Sequence, residues 1–223
     1  MDFYSERPGF GYRNRYFVNA VKCPQTPLVY LRTLKCASTF FYNNFRDAQS
    51  WPEINFNDID WQHHRVFSHI LHPHHRRAKG LAEYIHMHGL ESKYWNDLDF
   101  QKFIHASLGL DLHSLTADIT YSHPACCEIH WLPVSNDHNE TINITNDWLS
   151  QHKVSLIQWD LSQAHLGVLH KRKISDHIQQ QPLDDHVLLY LDNDVQLYES
   201  AVAKYQKRSN PQCNSQKTSV STK

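Results

Sequence analysis

Lys35, Ser38 and Thr39 stand in a short polar turn between an apolar run and a helical pattern. The run, Leu28–Leu31, has the length and composition of a strand that is buried on both faces of a parallel sheet. The helix that follows can be capped by Ser38 or Thr39. Because the first amides of a helix are unpaired and lie at its positive dipole end, a lysine and two hydroxyls beside them attract anions. The sequence therefore predicts an anion site, with an N-capped helix beside one solvated lysine as the alternative.

The composition of this turn restricts the kind of anion. An ordinary ATP or GTP loop follows the pattern Gly-x-x-x-x-Gly-Lys-Ser/Thr, whereas this turn has no glycine and its lysine precedes the hydroxyls by three and four residues. A nucleotide kinase would also need magnesium ligands, for which the sequence offers no motif. The order Lys35-Cys36-Ala37-Ser38-Thr39 after a strand instead resembles the 5′-phosphosulfate loop of sulfotransferases, particularly the carbohydrate-type families with a Lys-x-x-Ser-Thr turn.

A second strand-to-helix junction further along the chain strengthens this resemblance. Sulfotransferases carry Arg-Asp/Asn-Pro-x-x-Arg-x-x-Ser after the next core strand, where it binds the 3′-phosphate of the donor. Pro73 and Arg76 match this pattern, while Leu71 replaces the first arginine and Lys79 replaces the serine. Lys79 and Arg77 could supply compensating charge, because a phosphate mainly needs positive groups and hydrogen-bond donors. A basic, solvated helix face is the alternative for this segment.

The resemblance implies an enzyme that moves a sulfuryl group from 3′-phosphoadenylyl sulfate (PAPS) to the hydroxyl of a small-molecule or carbohydrate acceptor. Lys35 would neutralise the charge that develops on the phosphate oxygen as the S–O bond breaks, and the amides of Cys36, Ala37, Ser38 and Thr39 would hold the 5′ end. By the same resemblance, Arg76 and Lys79 would serve the cofactor's other end. A degenerate relative that binds a nucleotide or a partner without transfer is the alternative, favoured by the loss of the first arginine.

Transfer to a hydroxyl also needs a general base, which sulfotransferases supply as a histidine or glutamate between the two cofactor motifs. Asp58, Asp60, His63 and His64 occupy that interval, and His123 is a candidate outside it. A histidine near its ordinary pKa of about 6.5 can act without tuning, whereas an aspartate needs its pKa raised by burial. We therefore predict His64 as the base, with a surface polar group as the alternative for each candidate.

Composition excludes several other classes of protein. The net charge is −1 and the pI is near 7.0, so no overall positive field predicts a nucleic-acid partner. The chain has neither an apolar run long enough to span a bilayer nor the pattern of a signal peptide, so the sequence predicts no membrane association and a cytoplasmic location. The 5 cysteines and 18 histidines form no recognised ligand motif, so reduced thiols and no metal site are expected.

Strand and helix patterns along the chain predict a single α/β domain. With the resemblance, we expect three layers, a central parallel sheet flanked by helices, as in P-loop nucleotide hydrolases. The chain divides into an N-terminal arm at 1–26, the α/β domain at 27–207 and a disordered tail at 208–223. The remaining patterns predict a helix at 96–110, a polar loop at 136–146, a buried strand at 154–159 and a closing helix from about 193.

Overall fold

The computed structural model describes residues 20–108, 110, 128–135, 137–155, 157–163 and 169–209, and the elements below lie within those ranges. Five strands and seven α-helices make up the described part of the chain. In chain order they are β1 (Ala20–Lys22), β2 (Leu28–Leu31), α1 (Ser38–Asn43, continued by a π-helical turn at Asn44–Ala48), β3 (Glu53–Ile54), β4 (Arg65–Ile70), α2 (Pro73–Met87), α3 (Glu91–Asn96), α4 (Leu98–Ala106), β5 (Ile129–Pro133), α5 (His138–Gln151), α6 (Leu169–Gln180) and α7 (Asp185–Ser209).

The strands form one mixed sheet in the order β3-β1-β2-β4-β5. Strands β2, β4 and β5 are parallel, while β1 runs antiparallel to both β2 and β3. The link from β1 to β2 is a short turn closed by a hydrogen bond from the Cys23 amide to the Leu28 carbonyl, and so short a link permits only an antiparallel pair. The α/β prediction is confirmed, but the sheet is only partly parallel.

The parallel register places the carboxyl ends of β2, β4 and β5 at one edge of the sheet. Leu28 pairs with Arg65 at the opposite edge, and Ile70 pairs with Pro133 near the carboxyl ends of β4 and β5. The turns after β2 and β4 therefore emerge side by side, at the edge where open α/β sheets bind their ligands.

An aromatic core fills the space between one face of the sheet and helices α1 and α5. Tyr30 and Phe67 on neighbouring strands meet Phe45 of the first helical segment, with ring centroids 5.0 to 5.7 Å apart. Phe45 also stacks on Trp51 at 4.5 Å. This packing buries Leu28 and Tyr30 on one face of β2, and a second cluster buries Val29 and Leu31 on the other face. The complete burial of β2 that the apolar run predicted is therefore confirmed.

Helix α7 packs along the edge strand β5. The Tyr205 hydroxyl lies 2.9 Å from Nε2 of His130, and the Lys204 ammonium lies 3.2 Å from Nδ1 of the same ring. One turn before Tyr205 on the same helix, Ala201 packs with Ile70 of β4. Covering an edge strand in this way blocks its unpaired backbone groups from pairing with another chain.

Several predicted elements are confirmed and others are wrong. The predicted helices are present as α2, α4 and α7, although α4 is shorter than the predicted range 96–110 and α7 begins earlier than predicted, at Asp185. In the strand predicted at 154–159, the described residues are irregular chain. Val154, Ile157 and Trp159 of this segment pack in the core from a loop, and Trp159 donates to Asn146 Oδ1 at 3.0 Å. The loop predicted at 136–146 lies largely in α5, whose buried residues recur at helical spacing despite the polar composition.

The predicted chain divisions also change. Strand β1 falls within the predicted arm, so the sheet begins earlier than residue 27. Residues 1–19 of that arm, most of the predicted tail and the His123 candidate lie outside the described residues. Among the described helices, none has the length and apolar character needed to cross a bilayer.

Candidate anion-binding site

The turn that joins β2 to α1 has an unusual backbone. Lys35 and Ala37 both adopt positive φ angles, 63° and 54°, which cost a non-glycine residue about 1 kcal/mol or more each. Ala37 occupies the N-cap position, and no side chain within the described residues caps the helix start. The predicted cap by Ser38 or Thr39 is therefore wrong, because the helix already includes both residues. The turn thus leads into α1 without a side-chain oxygen occupying the first amides.

This turn is bonded directly to the junction after β4. The Ser68 hydroxyl donates to the Leu31 carbonyl at 2.6 Å, so the contact of 2.6 Å between Thr33 Oγ1 and Ser68 Oγ has the threonine as donor. On the far side of the turn, the Leu71 amide donates to the Cys36 sulfur at 3.3 Å. All these groups are buried, and the two junctions consequently form one rigid unit.

Arg76 adds a third link between the two junctions. Its side chain is buried, and Nε donates to the carbonyl of Leu34 in the first turn at 3.1 Å. Its Nη1 lies 3.9 Å from Oδ2 of Asp194, a buried carboxylate on α7. The guanidinium predicted to bind the donor's 3′-phosphate therefore lies beneath the first turn, where it supports the turn and adds positive charge.

The side chain of Lys35 reaches towards α2 and α6. Its ammonium lies 2.9 Å from Oε2 of Glu83, and the Lys171 ammonium lies 2.9 Å from the same oxygen. Burial alone would raise the pKa of Glu83, but the hydrogen bonds from the two lysines outweigh it and lower that pKa to about 2. The carboxylate stays ionised at neutral pH, and the three groups together carry one net positive charge.

The other basic residues of α2 have separate surroundings. Arg77 is buried and donates to the carbonyls of His105 and Ser107, at 2.6 and 2.8 Å, at the end of α4. It thus satisfies helix-end carbonyls. Lys79 is exposed. Of the charges predicted to compensate for the missing arginine, Lys79 alone presents its side chain to solvent.

His64 lies at the opposite edge of the sheet from Lys35. It directly precedes Arg65, which pairs with Leu28 at the start of the parallel strands, whereas Lys35 follows their carboxyl ends. The six residues of β4 span about 20 Å at about 3.3 Å per residue. The structure does not bring these two predicted catalytic residues together. The Nδ1 atom of His64 instead accepts a hydrogen bond from the Asp60 amide, within a local turn.

The other candidate bases lie along the path by which the chain returns to the start of β4. Asp60 and His63 lie beside His64, because the amides of His63 and His64 both donate to the Asp60 carbonyl, and His63 pairs with the Asp60 carboxylate at 2.7 Å in an exposed position. Asp58 lies earlier, in a short 3₁₀ turn that follows β3. A residue that lies between the two motifs in the sequence therefore need not lie between them in space.

A cleft of about 680 Å³ opens beside the second junction, at the carboxyl ends of β4 and β5. His72 lines it, and the buried Nδ1 of this ring has no hydrogen-bond partner among the described residues. Burial, together with the neighbouring rings of His74 and His75, lowers the pKa of His72, so the ring is neutral at pH 7. Polar groups from α5, from α7 and from the segment before α5 complete the lining, among them Ser135, Glu140, Asn143, Asp147, Gln151 and Tyr198.

Sequence reasoning missed Glu83, Lys171 and this cleft. Lys171 belongs to the run His170-Lys171-Arg172-Lys173, and four consecutive basic residues are a signal that could have drawn attention to α6. Glu83 carries no such signal, since its role depends on contacts between distant segments. Among the described residues, no group of three or more histidine, cysteine, aspartate or glutamate side chains is arranged to hold a metal ion.

The site thus consists of two adjoining strand-to-helix turns, a cluster of lysines over them and a polar cleft beside them. Comparison with known proteins adds no family assignment: no family model, curated protein or solved structure gives a significant match to this chain.

Proposed function

We propose that the chain is a sulfotransferase of P-loop-like, three-layer α/β architecture that uses PAPS as sulfuryl donor. The observation that carries this proposal is the direct bonding of the turn after β2 to the second strand-to-helix unit, at Ser68 in β4, at Leu71 in the turn after β4 and at Arg76 in α2. A nucleotide with phosphate groups at two positions needs two adjacent anion sites held at a fixed separation, and two joined turns at one sheet edge meet that need.

The first turn would hold the 5′ end of the donor. The amides of Ala37, Ser38 and Thr39 and the Lys35 ammonium would hold the phosphosulfate. The predicted Cys36 amide would not take part, because it already donates to the Thr33 carbonyl at 3.3 Å. In the reaction, the bond from sulfur to the donor's phosphate oxygen breaks, a bond from sulfur to the acceptor's oxygen forms, and 3′-phosphoadenosine 5′-phosphate leaves. Lys35 would offset the negative charge that accumulates on the departing phosphate oxygen.

The acceptor would enter the cleft at the ends of β4 and β5. His72 replaces His64 as the candidate base in this proposal, because it lies at the same sheet edge as Lys35 and is neutral at pH 7. It would take the proton from the acceptor hydroxyl as the new S–O bond forms. The amides, carboxylates and hydroxyls that line the cleft suit a polar acceptor, whether a small molecule or a carbohydrate.

A binding protein without transferase activity is a second candidate, and specific contacts favour it. Lys35 faces Glu83, Arg76 faces Asp194, and Leu71 stands where sulfotransferases carry an arginine. Such a protein would hold the nucleotide or another anionic partner at the same turns but would not catalyse transfer. Consumption of PAPS in the presence of a panel of hydroxyl acceptors separates the two, because a binding protein leaves the donor intact.

Calorimetric titration with 3′-phosphoadenosine 5′-phosphate tests the donor site, with adenosine 5′-phosphate as the ligand that lacks the second phosphate. We expect tight binding only when both phosphates are present, weakened about tenfold or more in Lys35→Met, because a charge-assisted hydrogen bond contributes about 1.5 to 3 kcal/mol. Lys102→Met is the matched control, since Lys102 is an exposed lysine on α4. Absence of binding to the folded wild-type protein would reject the proposal.

A further inference from the structure

Two lysines from distant parts of the chain share a single carboxylate oxygen beside the first turn. We propose that Lys171 is a second lysine of the oxyanion site and that the Glu83 carboxylate occupies this site until a phosphate- or sulfate-bearing ligand displaces it. The inference rests on the proposed function for the identity of the ligand as a nucleotide. The binding of an oxyanion by the two lysines does not depend on that function.

The distances fit a bridging oxyanion. Each ammonium nitrogen, of Lys35 and of Lys171, lies 2.9 Å from Oε2 of Glu83, so the two nitrogens are separated by no more than twice that distance. A tetrahedral phosphate or sulfate presents several oxygens and can accept from both ammonium groups at once. The carboxylate therefore marks a position where the protein already brings two positive donors to one anionic acceptor.

Charge and access also favour exchange. Two ammonium groups against one carboxylate leave one positive charge, and a dianionic oxyanion would be attracted more strongly than the single charge of Glu83. The side chains of Lys35, Glu83 and Lys171 are 21%, 19% and 24% exposed, so solvent reaches the cluster without any unfolding. Glu83 lies on the surface of α2 and can turn to another rotamer when a ligand takes its place.

The inference predicts opposite effects on oxyanion affinity for substitutions at Glu83 and at Lys171. Glu83→Gln removes the competing charge, so we expect an oxyanion to bind about tenfold more tightly than it binds wild type. Lys171→Met removes one donor while keeping the aliphatic stem, so we expect binding about tenfold weaker. Lys173→Met is the matched control, because this exposed lysine lies two residues away on the same helix and has no part in the cluster.

Calorimetry with two probes tests these expectations, in a buffer free of phosphate and sulfate. Inorganic pyrophosphate supplies the oxyanion without a nucleoside, and 3′-phosphoadenosine 5′-phosphate supplies the complete ligand. Glu83→Ala accompanies Glu83→Gln, because it removes the competitor even if the glutamine amide retains hydrogen bonds to the cluster. Circular dichroism confirms that each variant is folded before its affinity is compared.

The two probes separate this inference from the proposed function. Pyrophosphate binding that tightens in the Glu83 variants and weakens in Lys171→Met supports the inference even if the nucleotide does not bind. If nucleotide binding requires Lys35 but its affinity is unchanged in the Glu83 and Lys171 variants, the inference is overturned and the proposed donor site is retained. Failure of both probes to bind the Glu83 variants also overturns it, and makes the carboxylate a purely structural link between the turn, α2 and α6.

Discussion

Replacement of His69 tests whether strand β4, which lies beneath the candidate site, excludes water as completely as its contacts indicate. The His69 ring is fully buried, stacks on Phe41 at 3.7 Å and has Nε2 2.9 Å from Oγ1 of Thr145. Because the Thr145 hydroxyl donates to the Thr141 carbonyl, Nε2 of the histidine must carry the proton. His69→Gln keeps a donor at this position and removes only the titratable group.

The magnitude follows from proton linkage. Burial lowers the pKa of His69 to about 3 from 6.5, so the folded state excludes a proton that the unfolded state takes up. This contribution to stability is complete above pH 6.5 and is lost as the pH falls from 6.5 towards 3. Between pH 7.5 and 4.5, the histidine should lower the free energy of unfolding by about 2.5 kcal/mol.

Urea unfolding of wild type and His69→Gln at pH 7.5, 6.0 and 4.5 measures this contribution. Other histidines add to the pH dependence of stability in both proteins. The relevant quantity is therefore the difference between the two proteins in how steeply the free energy of unfolding changes with pH. We expect the variant to lose about 2.5 kcal/mol less stability than wild type over this range. Equal slopes would show that His69 takes up a proton in the folded protein, which would contradict the dry packing of β4 beneath the two turns.

Three further predictions concern the supports of the site. Arg77→Met should lower the free energy of unfolding by about 2 to 4 kcal/mol in urea titrations, because the end of α4 loses a charged donor at carbonyls such as that of Ser107; a loss below 0.5 kcal/mol would contradict this role. Phe45→Ala should cost about 3 to 5 kcal/mol through the cavity left beside Trp51, and a cost no larger than that of a surface substitution would refute the packing. Burial raises the pKa of the Cys36 thiol, so peptide mapping after iodoacetamide treatment should find it unmodified in folded protein and labelled in urea. Rapid labelling of the folded protein would contradict its buried position.

Local sequence patterns predicted the strand–turn–helix units, because neighbouring residues determine where each of these elements begins and ends. The apolar run of β2, the strand pattern of β4 and Pro73 at the start of α2 specify those elements through nearest neighbours alone. The 154–159 segment shows the limit of such patterns. Ile157 is buried, and Val154 and Trp159 are half-buried, as residues of a strand could be, but these residues complete the aromatic core from an irregular loop. Nothing in their own order distinguishes the two outcomes.

The candidate site was predictable only in part, for a related reason. Lys35 follows from a turn that the sequence marks clearly, whereas its pairing with Glu83 and the approach of Lys171 depend on contacts across 48 and 88 positions of the chain. The error over His64 has a topological cause. A chain that crosses from β2 to a parallel β4 must return to the starting edge of the sheet, so residues just before β4 lie far from the turn after β2.

Hydrogen–deuterium exchange with and without saturating 3′-phosphoadenosine 5′-phosphate tests the central claim most directly, because it reports where the ligand acts. We predict slower exchange in peptides that span residues 33–41 and 71–80, with helix α4 unchanged as an internal control. Slower exchange at both junctions would place the bisphosphate nucleotide on the joined turns. Unchanged exchange at both junctions, or protection confined to other parts of the chain, would contradict the proposed donor site.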